Sequence, residues 1–158
     1  LVFIDRKERV LHSMDLTRDF ADRILSSDYD LDKSCALGEF EGAIYIIGSE
    51  SKRYDMLLDS WSELPYFDKK YDDYLKVVID GPRRKLYSFA YHYRKDRPAD
   101  SPESCYQVLY ELDLQVFTWR EIGLKSAIGH DFVLDHMHEG KLLFVNKNIQ
   151  ATALNPED

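Results

Sequence analysis

This chain of 158 residues has no long apolar run: no stretch approaches the roughly 18 consecutive apolar residues that a membrane-crossing helix requires. No membrane association is expected. Basic residues are outnumbered, with 21 Lys and Arg against 29 Asp and Glu and a formal net charge of −8. A nucleic-acid footprint needs Lys and Arg clustered on one face, so nucleic acid is not an expected partner. Cysteine is scarce, and Cys35 and Cys105 cannot build the disulfide framework of a small secreted domain. Two reduced thiols acting as small hydrophobes in a cytoplasmic protein is the expected reading. No segment sustains apolar residues at spacings of three and four. The one arguable helix spans Asp15 to Leu25, where Leu16, Phe20 and Ile24 step by four.

Aromatic and β-branched residues are plentiful. The chain is 44% hydrophobic, 13% aromatic and 32% charged, which excludes disorder and favours strands over helices. Its length suits one domain with a sizeable core. Leu1 opens a strand-like segment rather than a leader, and the start without Met implies a piece of a longer chain.

The most informative stretch runs from Tyr106 to Ile122. Tyr106, Val108, Tyr110, Leu112 and Leu114 recur at every second residue, the spacing that puts side chains on one face of a strand. After a polar break at Gln115, a second apolar-rich run, Phe117 to Ile122, carries Trp119. A hairpin is the simplest reading. The chain repeats this pattern: Asp113 stands six residues before Trp119, and Asp55 six before Trp61, each Trp followed by a polar residue, Glu and an aliphatic residue. A further copy starts at Asp15, with Ala21 in the Trp place, which is why a strand is preferred there over a helix. A truncated copy at the end has Asn155 in the Asp place.

Strands are expected over Leu1–Asp5, Val10–Leu16 and Phe20–Leu25, then Cys35–Phe40, Ala43–Ile47, Tyr54–Leu58 and Trp61–Leu64. The unbroken apolar run Ala43–Ile47 marks a strand covered on both faces. Leu75–Ile79, Leu86–Tyr93 and the hairpin make a further unit, and Phe132–His138, Leu142–Val145 and Ala151–Leu154 the last. Four units result, at about 1–26, 35–65, 75–123 and 131–158, holding three, four, four and three strands.

These repeats resemble the kelch type of β-propeller repeat. The resemblance lies in Gly42-Ala43-Ile44-Tyr45-Ile46-Ile47-Gly48, followed by Tyr54-Asp55 and Trp61; the next unit keeps Leu86-Tyr87, Asp113 and Trp119, and the last Gly140, Leu142 and Asn155. The copies are degenerate, the family's double glycine being Gly48-Ser49 in the first full unit. The implied fold is all-β, a partial propeller of four-stranded antiparallel blades, about two of them full and two incomplete. Propellers have about four to eight blades, so the remaining ones would come from the same longer chain or from another chain.

Motifs with their own chemistry are few. No Gly-x-Ser-x-Gly elbow, phosphate-cradling loop or zinc cysteine pair occurs. His136 and His138 share a face of their strand, with Asp135 beside them, a set of donors that suits a divalent ion. The plainer reading is polar residues lining a channel or the turn before Gly140. The acidic groups Asp28, Asp30, Asp32 and Asp72, Asp73 offer a glycosidase-like carboxylate pair or, more plainly, solvated loops. Neither catalytic residues nor a metal or other cofactor is expected.

The resemblance instead implies a binding face, built from the loops Ser49–Arg53, Arg94–Ser104, Asn146–Gln150, Ser27–Ser34, Tyr66–Tyr74 and Lys125–Asp131. These loops carry Arg53, Tyr66, Tyr71, Tyr74, Arg94, Arg97 and His130, mostly residue types that dominate protein-interface hot spots. The expected function is protein–protein interaction, by fold analogy that of substrate recognition for a ubiquitin ligase. A propeller enzyme or carbohydrate-binding domain, with His136, His138 and Asp135 on its axial face, is the competing expectation.

Overall fold

The computed structural model describes residues 2–5, 10–15, 21–25, 35–48, 50–65, 73–93, 105–122 and 132–157. They form fourteen strands in four antiparallel sheets, each sheet pairing its strands in chain order. The first holds β1 (Val2–Asp5), β2 (Val10–Asp15) and β3 (Ala21–Leu25). The second holds β4 (Ala36–Phe40), β5 (Ala43–Ile47), β6 (Lys52–Asp55) and β7 (Ser60–Glu63). The third holds β8 (Asp73–Asp80), β9 (Lys85–Tyr93), β10 (Cys105–Asp113) and β11 (Thr118–Ile122). The fourth holds β12 (Phe132–His138), β13 (Lys141–Asn146) and β14 (Ala151–Leu154). Strands β2 and β3 replace the helical alternative, with Asp15 opposite Ala21.

The two-residue period of the strands sorts the core into layers. All five residues of β5 are buried. Ile44 and Ile46 pack toward the first sheet with Leu11, whereas Ala43, Tyr45 and Ile47 pack toward the third with Leu86, Ala90, Val108, Tyr110 and Leu112. The other face of the third sheet, with Val78, Tyr87, Phe89 and Leu109, meets Leu134, Leu142 and Phe144 of the fourth. Phe89 and Phe144 meet edge to face at 5.7 Å between centroids. Each such side chain contributes about 1.5–3 kcal/mol through burial, so the two middle sheets are held from both sides.

The first strands of successive sheets adjoin: β4 lies against β8, and β8 against β12. Gly38 makes the first approach possible, because a Cβ there would stand 2.7 Å from Val77 Cγ1. Lys76 on β8 reaches Asp135 on β12 at 3.9 Å. A bulge between Leu134 and His136 breaks the register of β12, so that Leu134 and then Met137 pack toward the third sheet.

Two of the strand boundaries that depart from expectation do so for one shared reason. Asp55 Oδ1 accepts the N–H groups of Leu57 and Leu58 at 3.1 and 3.0 Å, and Asp113 Oδ1 those of Gln115 and Val116 at 2.8 and 3.2 Å. Each carboxylate captures the backbone of a four-residue turn. The strand expected over Tyr54–Leu58 therefore ends at Asp55, and Phe117, expected to open a strand, sits at the left-handed end of its turn with φ 52°, matched by Asp59 at 51°. Asn155 makes the corresponding contact, accepting from Glu157 N–H at 3.3 Å.

Candidate functional site

The turns joining first to second and third to fourth strands gather at one end of the sheets: Met56 N–H bonds Gly42 O at 3.0 Å, and Leu114 N–H bonds Arg84 O at 2.9 Å. Glu41 and Gly42, at φ 48° and 74°, form a two-residue hairpin turn, and Glu139 and Gly140 another at 47° and 75°. Between them, the Gly81–Arg84 turn sends Arg84 to the carboxylate of Glu41 on one side. On the other side Arg83 donates to Gly140 O at 3.1 Å and pairs with Glu157 at 3.6 Å. These charges are spent on neighbouring sheets, so this end is a structural seam.

Among the described residues, the opposite end shows two of the loops expected to meet a partner. In one, Ser51 Oγ donates to Gly48 O at 3.2 Å and accepts from Gly48 N–H at 3.3 Å. In the other, Asn146 Oδ1 accepts from the N–H groups of Asn148 and Gln150, both at 3.0 Å, and Ile149 is left exposed at φ 62°. Tyr66, Tyr71, Arg94, Arg97 and His130 lie outside the described residues. Tyr74, expected in a loop, is the second residue of β8, opposite Ala90. Arg53, also expected in a loop, belongs to β6 and is half-buried.

The position of Arg53 has a counterpart one sheet on. Arg53 stands two residues before Asp55, between Tyr45 on β5 and Ser62 on β7. Glu111 stands two residues before Asp113, between Tyr87 on β9 and Arg120 on β11. The two rows correspond, with the sign of the central charge reversed. Glu111 is buried and pairs with Arg120 at 2.8 Å and Lys85 at 3.4 Å. Burial, and the Glu111 carboxylate that Tyr87 bonds, push the Tyr87 hydroxyl well above the usual tyrosine range. Lys85 also pairs with Asp113 at 2.6 Å, and this bond, before the turn amides, holds Asp113 below the usual carboxylate range. Arg53 pairs with Asp55 at 2.9 Å, and Asp55 is held low first by the Leu58 amide and then by Arg53.

Each row borders a cleft. The first, of about 540 Å³, is lined by Arg53, Ser62, Glu63, Leu64, Pro65 and Phe117. The second, of about 440 Å³, is lined by Arg83, Lys85, Tyr87, Glu111, Arg120 and Glu157. Sequence reasoning missed Ser62, Phe117, Glu111 and Arg120. The shared spacing to the capping Asp was the available signal, but which residues face one another across strands needs the register.

The histidine pair is real in space. His136 and His138 lie 6.4 Å apart between ring centroids, both exposed, and Asp135 Oδ2 meets His136 Nδ1 at 2.7 Å. That bond, then Lys76, holds Asp135 below the usual carboxylate range. Among the described residues no group of three or more His, Cys, Asp or Glu stands together as a metal site would require. Among them, too, no helix is long and apolar enough to cross a membrane.

No family model matches this sequence, and no curated protein matches it. Solved structures do: one titled "Structure of YjhT" is similar to 73% of the chain, with a TM-score of 0.52 at 18% identity. The chain spans 35% of that protein's length. At this identity the likeness bears on the fold alone.

Proposed function

We propose that the chain is an arc of a kelch-type β-propeller that serves as a protein-interaction module in the cytoplasm. The observation that carries this reading is the contact of β4 with β8 and of β8 with β12. First strands that adjoin while whole sheets stack face to face support a reading as blades fanning from a common line. Trp61 and Trp119 sit on the fourth strands, each packed into the gap between its own sheet and the preceding one, as wedge-filling residues of a fan would be. The remaining blades come from the same longer chain or from another.

The partner-binding end is the one carrying Gly48, Ser51 and 146–150, because the opposite end commits its arginines to neighbouring sheets, and Tyr66, Tyr71, Arg94, Arg97 and His130 are the residues proposed to contact the partner. Substrate recognition for a ubiquitin ligase is one such role, by analogy of fold alone. Photo-crosslinking tests the assignment. Crosslinkers at positions 71, 97 and 130 should capture one protein that crosslinkers at 57 and 116 do not, and R94A/R97A should weaken its binding at least about tenfold. Capture from 57 and 116 alone would reverse the assignment.

The Asp135–His136 contact favours a second reading, an enzyme or carbohydrate-binding propeller using its axial face. Stoichiometric metal in the purified protein, lost in H136A/H138A, would favour it over the first.

A further inference from the structure

We propose that the cleft between β6–β7 and the Leu114–Phe117 turn binds a small organic monocarboxylate, with Arg53 as its anchor and Leu64, Pro65 and Phe117 as the seat for its apolar body. The inference stands apart from the partner-binding face.

The comparison of the two rows carries it. In the third sheet the central group, Glu111, receives two cations of this chain, Lys85 and Arg120, and is answered in full. In the second sheet the corresponding neighbours are Ala43 and Ser62, so nothing stands where a second counter-charge would. Asp55 takes Nη2 of Arg53 at 2.9 Å and the Tyr45 side chain is a second, uncharged partner of the guanidinium, yet Nε is buried with no hydrogen-bond acceptor among the described residues. A guanidinium presents five donors in a planar fork, and 27% of this side chain's surface stays open on the cleft that it lines. Ser62 Oγ donates its proton to Arg53 O at 3.4 Å, which leaves the guanidinium as the anchor.

Size and charge narrow the ligand. About 540 Å³ falls within the range of small-molecule sites. Three apolar residues and one arginine suit one carboxylate on an apolar body. Glu63 lines the same cleft and Asp55 is already on the guanidinium, so every added unit of ligand charge adds repulsion and a doubly charged phosphate fits worse than a single carboxylate held directly on the fork. A planar carboxylate matches the fork.

The test uses the 158-residue chain, 3-phenylpropanoate as the probe and 3-phenylpropan-1-ol as its uncharged counterpart. Trp119, whose indole N–H donates to Pro65 O at 3.1 Å, reports on the cleft wall. The acid should shift the amide signals of Leu64 and Phe117 and the Trp119 indole signal saturably, with a dissociation constant on the order of 1 mM. R53Q should weaken this at least about tenfold. R53E/S62R, which copies the row of the third sheet and should fold through the same pairing, should weaken it as much. Equal binding of acid and alcohol, unchanged binding of the acid in either variant, or no saturable shift would overturn the proposal.

Discussion

Trp119 on β11 donates its indole N–H to the carbonyl of Pro65, just past the end of β7, at 3.1 Å. The bond joins the last strand of the third sheet to the last strand of the second, while the indole packs on the core between them. Replacing Trp119 with Phe keeps an aromatic ring and removes the donor. A loss of about 1 kcal/mol in unfolding free energy is expected, read from urea denaturation. No loss would mean that the bond contributes nothing to the seam.

The capping carboxylates make the fold acid-sensitive. Asp55 and Asp113 are both held below the usual carboxylate range in the folded chain. Groups with depressed folded pKa values contribute stability that is present above the unfolded value, about 3.9, and lost as pH falls through the folded value. The urea midpoint should therefore hold steady near neutrality and drop below about pH 4. D55N/D113N should lower the midpoint at pH 7 and flatten its acid limb; an unchanged acid limb would count against these two turns as its source.

Gly38 tests the contact of first strands. Its missing Cβ would lie 2.7 Å from Val77 Cγ1 and 3.0 Å from Ile79 Cδ1, both on β8. G38A should cost about 1–3 kcal/mol by overpacking, and G38A/V77A should recover part of it. A neutral G38A would mean that β4 and β8 stand further apart.

Two ion pairs should differ widely in worth. Glu111, whose side chain is 9% exposed, pairs with two cations, and because Lys85 keeps Asp113 and Arg120 is 58% exposed, E111A should cost about 1–3 kcal/mol, the loss of buried hydrogen bonds including that of Tyr87. Arg84 and Glu41 are 43% and 55% exposed, and a double-mutant cycle should couple them by less than about 1 kcal/mol. Equal values would show that burial does not set the scale here.

The sequence made the strands legible because alternation is a local property: Tyr106 to Leu112 and Ala43 to Ile47 declare their faces without reference to anything distant. The Asp-to-Trp spacing was legible too, and its cause is the capped turn, which fixes a left-handed residue at the fourth turn position and the next strand after it. What misled was apolar character in turns. Met56, Leu57 and Leu58 read as strand, yet Leu57 is 91% exposed, because Asp55 captures the amides of Leu57 and Leu58. Arg53 read as loop because the signal for β6 is only four residues long, and its charge-reversed counterpart Glu111 emerges only once the register aligns the rows.

The radial arrangement of the sheets is tested most directly by an experimental structure of this chain in the assembly that completes it. The expected result is a strand paired with β14, an edge strand of the fourth sheet. A further four-stranded antiparallel sheet should cover the face of the fourth sheet turned away from the third, with the first strands of all sheets ringed about one axis. Two flat layers facing each other, with β4, β8 and β12 sharing no axis, would contradict it.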